Sequence, residues 1–150
     1  MAGKYLSVYL HIIWSTKARR NFIDPEWRHR LHAYIGSIVR FKNAGLIEIN
    51  SQPDHIHSYV SLPSTLSIAD LVNASKANST RWIRQTFPNR RLFAWQEGYA
   101  AFSVSRSEEN TVVNYIRNQD EHHKQRDFQA ELLDLLSRHG IEYDPRYVID

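Results

Sequence analysis

The stretch LIEINSQPDHIHSYVSL (46–62) contains two short β-branched runs separated by the turn-forming residues SQPD (51–54). Short runs that are rich in isoleucine and valine and bounded by such residues indicate strands joined by a tight connection. The stretch therefore predicts a β-hairpin with strands at 46–50 and 55–62. This hairpin decides the fold, because the patterns on both sides of it each combine a strand with a helix.

The chain around the hairpin gives, in order, a strand at 4–15, a helix from Asp24 to Phe41, a helix at about 66–86, a strand at 99–105, a helix over 107–125 and a last short helix at about 127–138. With the hairpin included, the order is β-α-β-β-α-β followed by helix, which is the split-βαβ order of ferredoxin-like folds. We predict an α+β fold with one antiparallel sheet and the first two helices on one face. The opposite face is left for a functional site or for an extra C-terminal helix.

Length and composition exclude several classes of protein. A chain of 150 residues favours one compact domain, expected to span 1–150. The absence of cysteine excludes disulfides, thiolate zinc sites and cysteine nucleophiles. No run approaches the ~20 apolar residues of a membrane span, and the N-terminus lacks a signal-peptide pattern. We expect a cytoplasmic protein that does not associate with membranes.

Positive charge is concentrated in the segment KANSTRWIRQTFPNRR (76–91), which holds five cations and no acid. Trp82 and Phe87 are interleaved with these charges. Cations that follow phosphates and rings that stack on bases are what single-stranded nucleic acid requires. A solvated helix face explains the charge equally well. From charge alone, the candidates for phosphate contacts are Arg19, Arg20, Lys76, Arg81, Arg84, Arg90 and Arg91.

His55 and His57 lie one residue apart in the second strand of the hairpin. Residues i and i+2 of a strand project to the same side, so the two imidazoles project together, on the side opposite Ile56 and Val60. Two imidazoles at this spacing can share one divalent cation, as in many nuclease sites. A pair of surface histidines is the plain alternative.

Tyr115 and Gln119 share one face of the helix predicted over 107–125, because residues i and i+4 lie one turn apart. A tyrosine hydroxyl is a competent nucleophile towards a phosphodiester, and a glutamine carbonyl is a plausible neutral ligand for a cation. The alternative is a packing tyrosine beside an exposed glutamine. His122 and His123 lie about one turn further along, and we expect a solvated role for both.

Together these residues resemble a known family. His55-Ile56-His57 resembles the histidine–hydrophobic–histidine motif of HUH endonucleases, and Tyr115-x-x-x-Gln119 resembles the tyrosine helix of their single-tyrosine, IS200-like transposases. The supporting stretches, in the expected order, are HIIWSTKARR, PDHIHSYVSL, LVNASKANST, WQEGYAAFSVS and YIRNQDEHHK. The resemblance covers the chain from about residue 5 to residue 147, so the whole chain is expected to be one HUH transposase domain.

The resemblance implies a specific chemistry. His55, His57 and Gln119 would hold Mg²⁺ or Mn²⁺, and Tyr115, on the extra C-terminal helix, would attack a phosphate of single-stranded DNA. The products would be a 5′-phosphotyrosine link and a free 3′-hydroxyl, which later rejoins strands. The family recognises DNA hairpins at the ends of insertion sequences and works as homodimers. The implied function is that of a transposase acting in transposition and DNA recombination.

Three other interpretations are open at this point. A domesticated relative would act on dispersed palindromic repeats with the same residues. A non-catalytic, ferredoxin-like nucleic-acid-binding module would stack bases on strand aromatics, drawn from Tyr5, Tyr9, Tyr59 and Tyr99. A phosphoesterase with two His-x-Ser/Thr motifs is the weakest of the three, because the predicted strands offer only one histidine pair.

Overall fold

The computed structural model describes residues 3–124, 126–146 and 148. The strands are β1 (Tyr9–Ser15), β2 (Gly45–Gln52), β3 (His55–Ser61) and β4 (Ala100–Ser103). The helices are α1 (Arg28–Phe41), α2 (Ile68–Thr86), α3 (Glu109–Arg117), α4 (Gln119–His122) and α5 (Phe128–Arg138). Single 3₁₀ turns lie at Lys17–Arg19, Pro88–Arg90 and Arg106–Glu108.

The four strands form one antiparallel sheet in the order β2-β3-β1-β4. The predicted ferredoxin-like α+β fold is confirmed. The central strands β1 and β3 pair so that Ile13 lies opposite His57 and His11 lies opposite Tyr59. On the other side of β1, His11 pairs with Phe102 of β4. Both histidine-bearing strands are thus fixed by neighbours on each side.

Each face of the sheet carries its own core. Leu10, Ile12 and Trp14 of β1 pack with α1 and α2 in the larger hydrophobic cluster. Ile13, on the other face of the same strand, packs in a smaller cluster with Phe102 of β4 and with Phe128, Leu132, Leu135 and Leu136 of α5. The face left for a site or for an extra C-terminal helix is therefore covered by α5. Tyr115 was expected on that extra helix but lies on α3.

Two elements, β1 and α1, begin at least four residues later than predicted. β1 begins at Tyr9 instead of residue 4, because its partners β3 and β4 end at Ser61 and Ser103, opposite Tyr9 and Leu10. Tyr5 is accordingly 96% exposed. α1 begins four residues after Asp24, whose carboxylate accepts a hydrogen bond from the Trp27 indole at 3.0 Å instead of capping the backbone.

The helix predicted over 107–125 is broken at Asn118, and this break brings the next residues towards the sheet. α3 ends at Arg117, and α4 is a single turn. Asn50 of β2 donates to the carbonyls of Ile116 at 2.9 Å and Arg117 at 3.3 Å, in place of helical N–H groups. Every helix in the described part of the chain is too short or too polar to cross a bilayer.

Candidate functional site

The site begins with three histidines on the face of the sheet that α5 covers. His55 and His57 of β3 are fully buried, and His11 of β1 is nearly so. The Nε2 atom of His11 lies 2.8 Å from Nδ1 of His57. Asp54 places Oδ1 2.7 Å from Nδ1 of His55. Each imidazole of the predicted pair is therefore oriented through one ring nitrogen, which leaves Nε2 directed inwards.

Tyr115 and Gln119 lie beside these histidines although the helix between them is broken. The Gln119 side chain is buried, with Oε1 3.4 Å from Nε2 of His55. The Tyr115 ring meets the His57 ring edge-to-face at 5.9 Å and the His11 ring at 6.1 Å. The structure therefore brings all four sequence-predicted site residues together.

Glu131 of α5 is the functional residue that the sequence analysis missed. Its carboxylate is buried, with Oε1 3.1 Å from Nε2 of His57. The second oxygen, Oε2, accepts hydrogen bonds from the Tyr115 hydroxyl and, at 3.2 Å, from Nε2 of Gln119. One carboxylate thus joins the histidines to the tyrosine. The sequence did carry one signal of this role: Glu131 is a charged residue on the otherwise apolar face of α5, between Phe128 and Leu135.

His123 also belongs to the site, which corrects the expectation of a solvated role. Its side chain is only 12% exposed, and its Nε2 lies 2.8 Å from Oε1 of Gln119 and 3.2 Å from Oε1 of Glu131. The helix ends just before His123, so this residue does not continue the surface of α3. His122 packs its ring against Tyr115 at 4.7 Å and is half-buried.

The donor set suits a divalent cation. The ligand atoms of His55, His57, His123 and Glu131, hereafter the histidine–glutamate cluster, all lie within 4.8 Å of one another. Imidazole nitrogens and a carboxylate oxygen are ligands for divalent transition metals, and the carbonyl of Gln119 adds a neutral oxygen. The partners of His55 and His57 on their outer nitrogens are of the kind that orient metal-binding imidazoles.

The electrostatics of the cluster keep Glu131 charged and Tyr115 protonated. Burial would raise the pKa of Glu131, but hydrogen bonds with His123, His55 and His57 hold that pKa well below its ordinary value. Burial lowers the pKa of His57 to about 4, against the opposing effect of Glu131. Burial and the neighbouring Glu131 charge raise the pKa of Tyr115. The Tyr115 hydroxyl therefore keeps its proton and donates a hydrogen bond to the charged Glu131 carboxylate.

The seven basic candidates for phosphate contacts are spread over several parts of the fold. Lys76 donates to the carbonyls of Gln96 at 2.8 Å and Gly98 at 2.6 Å, and Arg84 donates to the carbonyl of Phe93 at 2.8 Å. Two more candidates contact α2 or the loop before α1, since Arg81 donates to Asn78 and Arg90 pairs with Asp24. Arg19 lies 3.9 Å from Asp127, and Arg20 and Arg91 are exposed. Lys76, Arg81 and Arg84 belong to α2, across the sheet from the cluster.

The structure also bears on the base-stacking alternative. Tyr59, one of the aromatics proposed to stack bases, is fully buried and packs against Tyr9 at 5.8 Å. A buried ring cannot present its face to a base. Tyr5 and Tyr99 stay exposed.

Residues 4–119 match the family model described as transposase IS200 like. The chain belongs to the IS200-like transposase family. The resemblance drawn from the motifs is thereby confirmed. As a member of this family, the protein is a transposase, a class of enzyme that cleaves DNA and transfers its strands.

Two curated transposases are similar along most of their length. The transposase of insertion sequence element IS200 from Salmonella typhimurium LT2 is 24% identical over 119 residues, which cover 76% of this chain and 78% of that protein. The ISDra2 transposase TnpA of Deinococcus radiodurans R1 is 26% identical over 122 residues, with 78% and 87% covered.

Two solved structures share the fold of this transposase. A crystal structure of a candidate transposase from Deinococcus radiodurans R1 superposes with a TM-score of 0.64 at 25% identity, covering 79% of this chain and 97% of that one. A REP-associated tyrosine transposase bound to a REP hairpin gives a TM-score of 0.61 at 15% identity, with 82% and 74% covered, and this second likeness concerns the fold alone.

Proposed function

We propose that this transposase cleaves and rejoins single-stranded DNA through a 5′-phosphotyrosine intermediate formed on Tyr115. One observation carries the proposal above the others: the Tyr115 hydroxyl is hydrogen-bonded to a carboxylate that also contacts His57 and His123. A nucleophile and a donor set for a divalent cation thus share one side chain, Glu131. This arrangement supports phosphoryl chemistry over a module that only binds DNA, because it places a potential nucleophile beside the donor set.

Each residue has a role in this mechanism. His55, His57 and Gln119, joined by His123 and Glu131, would hold Mg²⁺ or Mn²⁺. A bound cation would withdraw electron density from the phosphoryl group and so favour attack on it. Oε2 of Glu131 accepts the hydrogen bond of the Tyr115 hydroxyl and so orients the phenol oxygen. The tyrosine oxygen forms a bond to phosphorus as its proton passes to water, the bond to the 3′ oxygen breaks, and the leaving 3′ oxygen takes a proton from water.

The later step reverses the first one. A free 3′-hydroxyl loses its proton to water as it attacks the phosphotyrosine, the bond between phosphorus and the tyrosine oxygen breaks, and the phenol oxygen takes a proton from water as the strands are joined. Because one phosphoester is exchanged for another in each step, no external energy is required. We further propose that the chain acts as one HUH domain in a homodimer, and that its substrates are DNA hairpins at insertion-sequence ends.

A covalent-adduct assay tests this function. Labelled single-stranded oligonucleotides that tile both strands of the flanks of the gene are incubated with protein and Mn²⁺ and run on a denaturing gel. We expect a protease-sensitive shifted band that disappears in Tyr115→Phe and persists in Tyr99→Phe, a matched change at an exposed tyrosine. An adduct that survives in Tyr115→Phe would exclude Tyr115 as the nucleophile.

The metal assignment is tested in the same assay. The double variant His55→Ala/His57→Ala should bind hairpin DNA and form no adduct. Cleavage at the wild-type rate in that variant would exclude a cation site at these histidines. Tight binding of every oligonucleotide without an adduct, in the wild-type protein with either cation, would favour the non-catalytic binding module.

A further inference from the structure

A cavity of about 460 Å³ opens beside Tyr115, on the side of its ring away from α4. Its walls come from β4 and the segment after it, from α3, and from the last turn of α5. The residues that line it deepest are Phe102, Leu135 and His11, all buried, with Tyr115 itself forming one wall. Cavities of this size lie within the range of small-molecule sites in proteins.

The lining has the chemistry of a nucleobase site. The floor is aromatic and apolar, and the Phe102 ring is stacked with His139 at 4.3 Å. The exposed part of the lining is polar and includes Ser103, Ser105, Glu108 and Thr111. A flat ring with a polar edge matches such a lining, since its face meets rings while its edge meets hydroxyls.

His139 adds a defined hydrogen-bonding group. Its Nδ1 donates to the carbonyl of Leu135 at 2.9 Å, so the neutral ring carries its acceptor at Nε2. Arg138, next to it, also lines the cavity and is exposed. The hydrogen-bond acceptor of His139 suits the exocyclic amine of a base, and the cation of Arg138 suits the phosphate attached to the sugar of that base.

We propose that this cavity binds the unpaired base of a nucleotide next to the scissile phosphate. The inference rests on the proposed function of Tyr115. Tyr115 lines the cavity, and its hydroxyl is hydrogen-bonded to Glu131 of the histidine–glutamate cluster, so a nucleotide whose phosphate is attacked by that hydroxyl would lie close to the cavity. A cavity of similar volume on the other side of α5, about 470 Å³, borders Ile13 and Gln96–Ala100 and is lined by neither Tyr115 nor a cluster histidine.

The first test removes the base instead of the protein side chain. Oligonucleotides that form the adduct are made with one abasic site, either on the 5′ side of the scissile phosphate, on the 3′ side, or several nucleotides away. We expect the single-turnover adduct rate to fall about tenfold for one flanking position, the loss that corresponds to one stacked base, and to stay unchanged for the remote position. Equal rates for both flanking positions and the remote one would overturn the proposal.

The second test fills the cavity. Thr111→Trp introduces a bulky ring from an exposed position of the lining, and Asn110→Trp is the matched control on the same helix outside it. Thr111→Trp should slow the reaction of intact DNA about tenfold and cause no further loss on the sensitive abasic oligonucleotide. Asn110→Trp should behave as wild type. Equal slowing of intact and abasic DNA by Thr111→Trp would indicate a general defect and overturn the proposal.

A binding measurement separates this inference from the proposed chemistry. In the Tyr115→Phe variant, 2-aminopurine at the sensitive position should be quenched on binding, and Thr111→Trp should abolish that quenching. Normal adduct formation without position-specific quenching would refute the cavity while leaving the function of Tyr115 in place. Failure to form an adduct with any oligonucleotide would refute both.

Discussion

Replacing Asn50 by alanine tests whether the end of α3 is held in position by β2. The Asn50 amide donates to the carbonyls of Ile116 and Arg117, which belong to the last turn of α3. Those carbonyls have no helical N–H partners, because the helix ends at Arg117. Tyr115 immediately precedes them. The alanine variant removes both of these hydrogen bonds, together with the one that the Asn50 side-chain oxygen accepts from the Ser51 backbone N–H.

The size of the effect follows from the exposure of the two bonds. A typical hydrogen bond contributes about 0.5–1.5 kcal/mol net, and less when water can replace the donor. The bond to Ile116 is partly buried and the bond to Arg117 is exposed. We therefore expect the free energy of unfolding to fall by about 1.5 kcal/mol. If this energy serves to position the nucleophile, the adduct rate should fall about tenfold.

Urea unfolding and single-turnover adduct formation measure the two quantities separately. Asn50→Asp keeps the oxygen that accepts from the Ser51 backbone at 2.9 Å but cannot donate, so it should resemble Asn50→Ala in rate. Asn73→Ala, at an exposed position of α2, should match the wild type in both measurements. A variant at position 50 that loses stability yet forms the adduct at the wild-type rate would refute the positioning role of this contact.

His32, Glu131 and Phe41 give three further outcomes. Burial lowers the pKa of His32 from 6.5 to about 4, and the charges of His29 and Arg28 add to this effect. As the pH falls, His32 is therefore protonated in the unfolded chain before it is protonated in the folded one. Between pH 6.5 and pH 4, the free energy of unfolding measured in urea titrations should fall by about 3 kcal/mol more in the wild type than in His32→Gln. Mn²⁺ at about 100 times its dissociation constant should raise the Tm by about 5–10 °C in the wild type and not in Glu131→Gln, and equal shifts would contradict ligation by Glu131. Phe41→Ser should change the free energy of unfolding by less than about 0.5 kcal/mol, since this side chain is 83% exposed.

The fold could be predicted because its elements carry strong local signals. β3 alternates between histidines on one face and Ile56 and Val60 on the other, and α2 begins at Ser67, whose hydroxyl accepts from the Asp70 backbone as the sequence indicates. The helical spacing of α1 predicts a core position for Phe41, and this prediction is wrong, since Phe41 is the last residue of the helix and is 83% exposed.

The candidate site could be predicted only where its residues share one element. His55 with His57, and Tyr115 with Gln119, are each related by a local repeat, and the structure brings both pairs together. Glu131 has no such relation to them, because its contacts span 16 residues to Tyr115 and 74 to His57. The break at Asn118 was equally hidden, since the amide that bonds to the freed carbonyl of Ile116 belongs to Asn50 on a distant strand. Contacts set by packing across the sheet leave no periodic trace in the sequence.

Through Glu131, α5 contributes a side chain to the site in addition to covering it. Burying a carboxylate among three histidines is unfavourable unless each polar group has a partner and the surrounding element is held firmly. Phe128 stacks on His55 at 4.2 Å, and Leu132 and Leu135 pack in the smaller hydrophobic cluster with Ile13. These apolar contacts offset the cost of holding the charge next to Tyr115. The packing of α5 and the protonation of Tyr115 are therefore coupled, since a shift of this helix would separate Glu131 from both the histidines and the phenol.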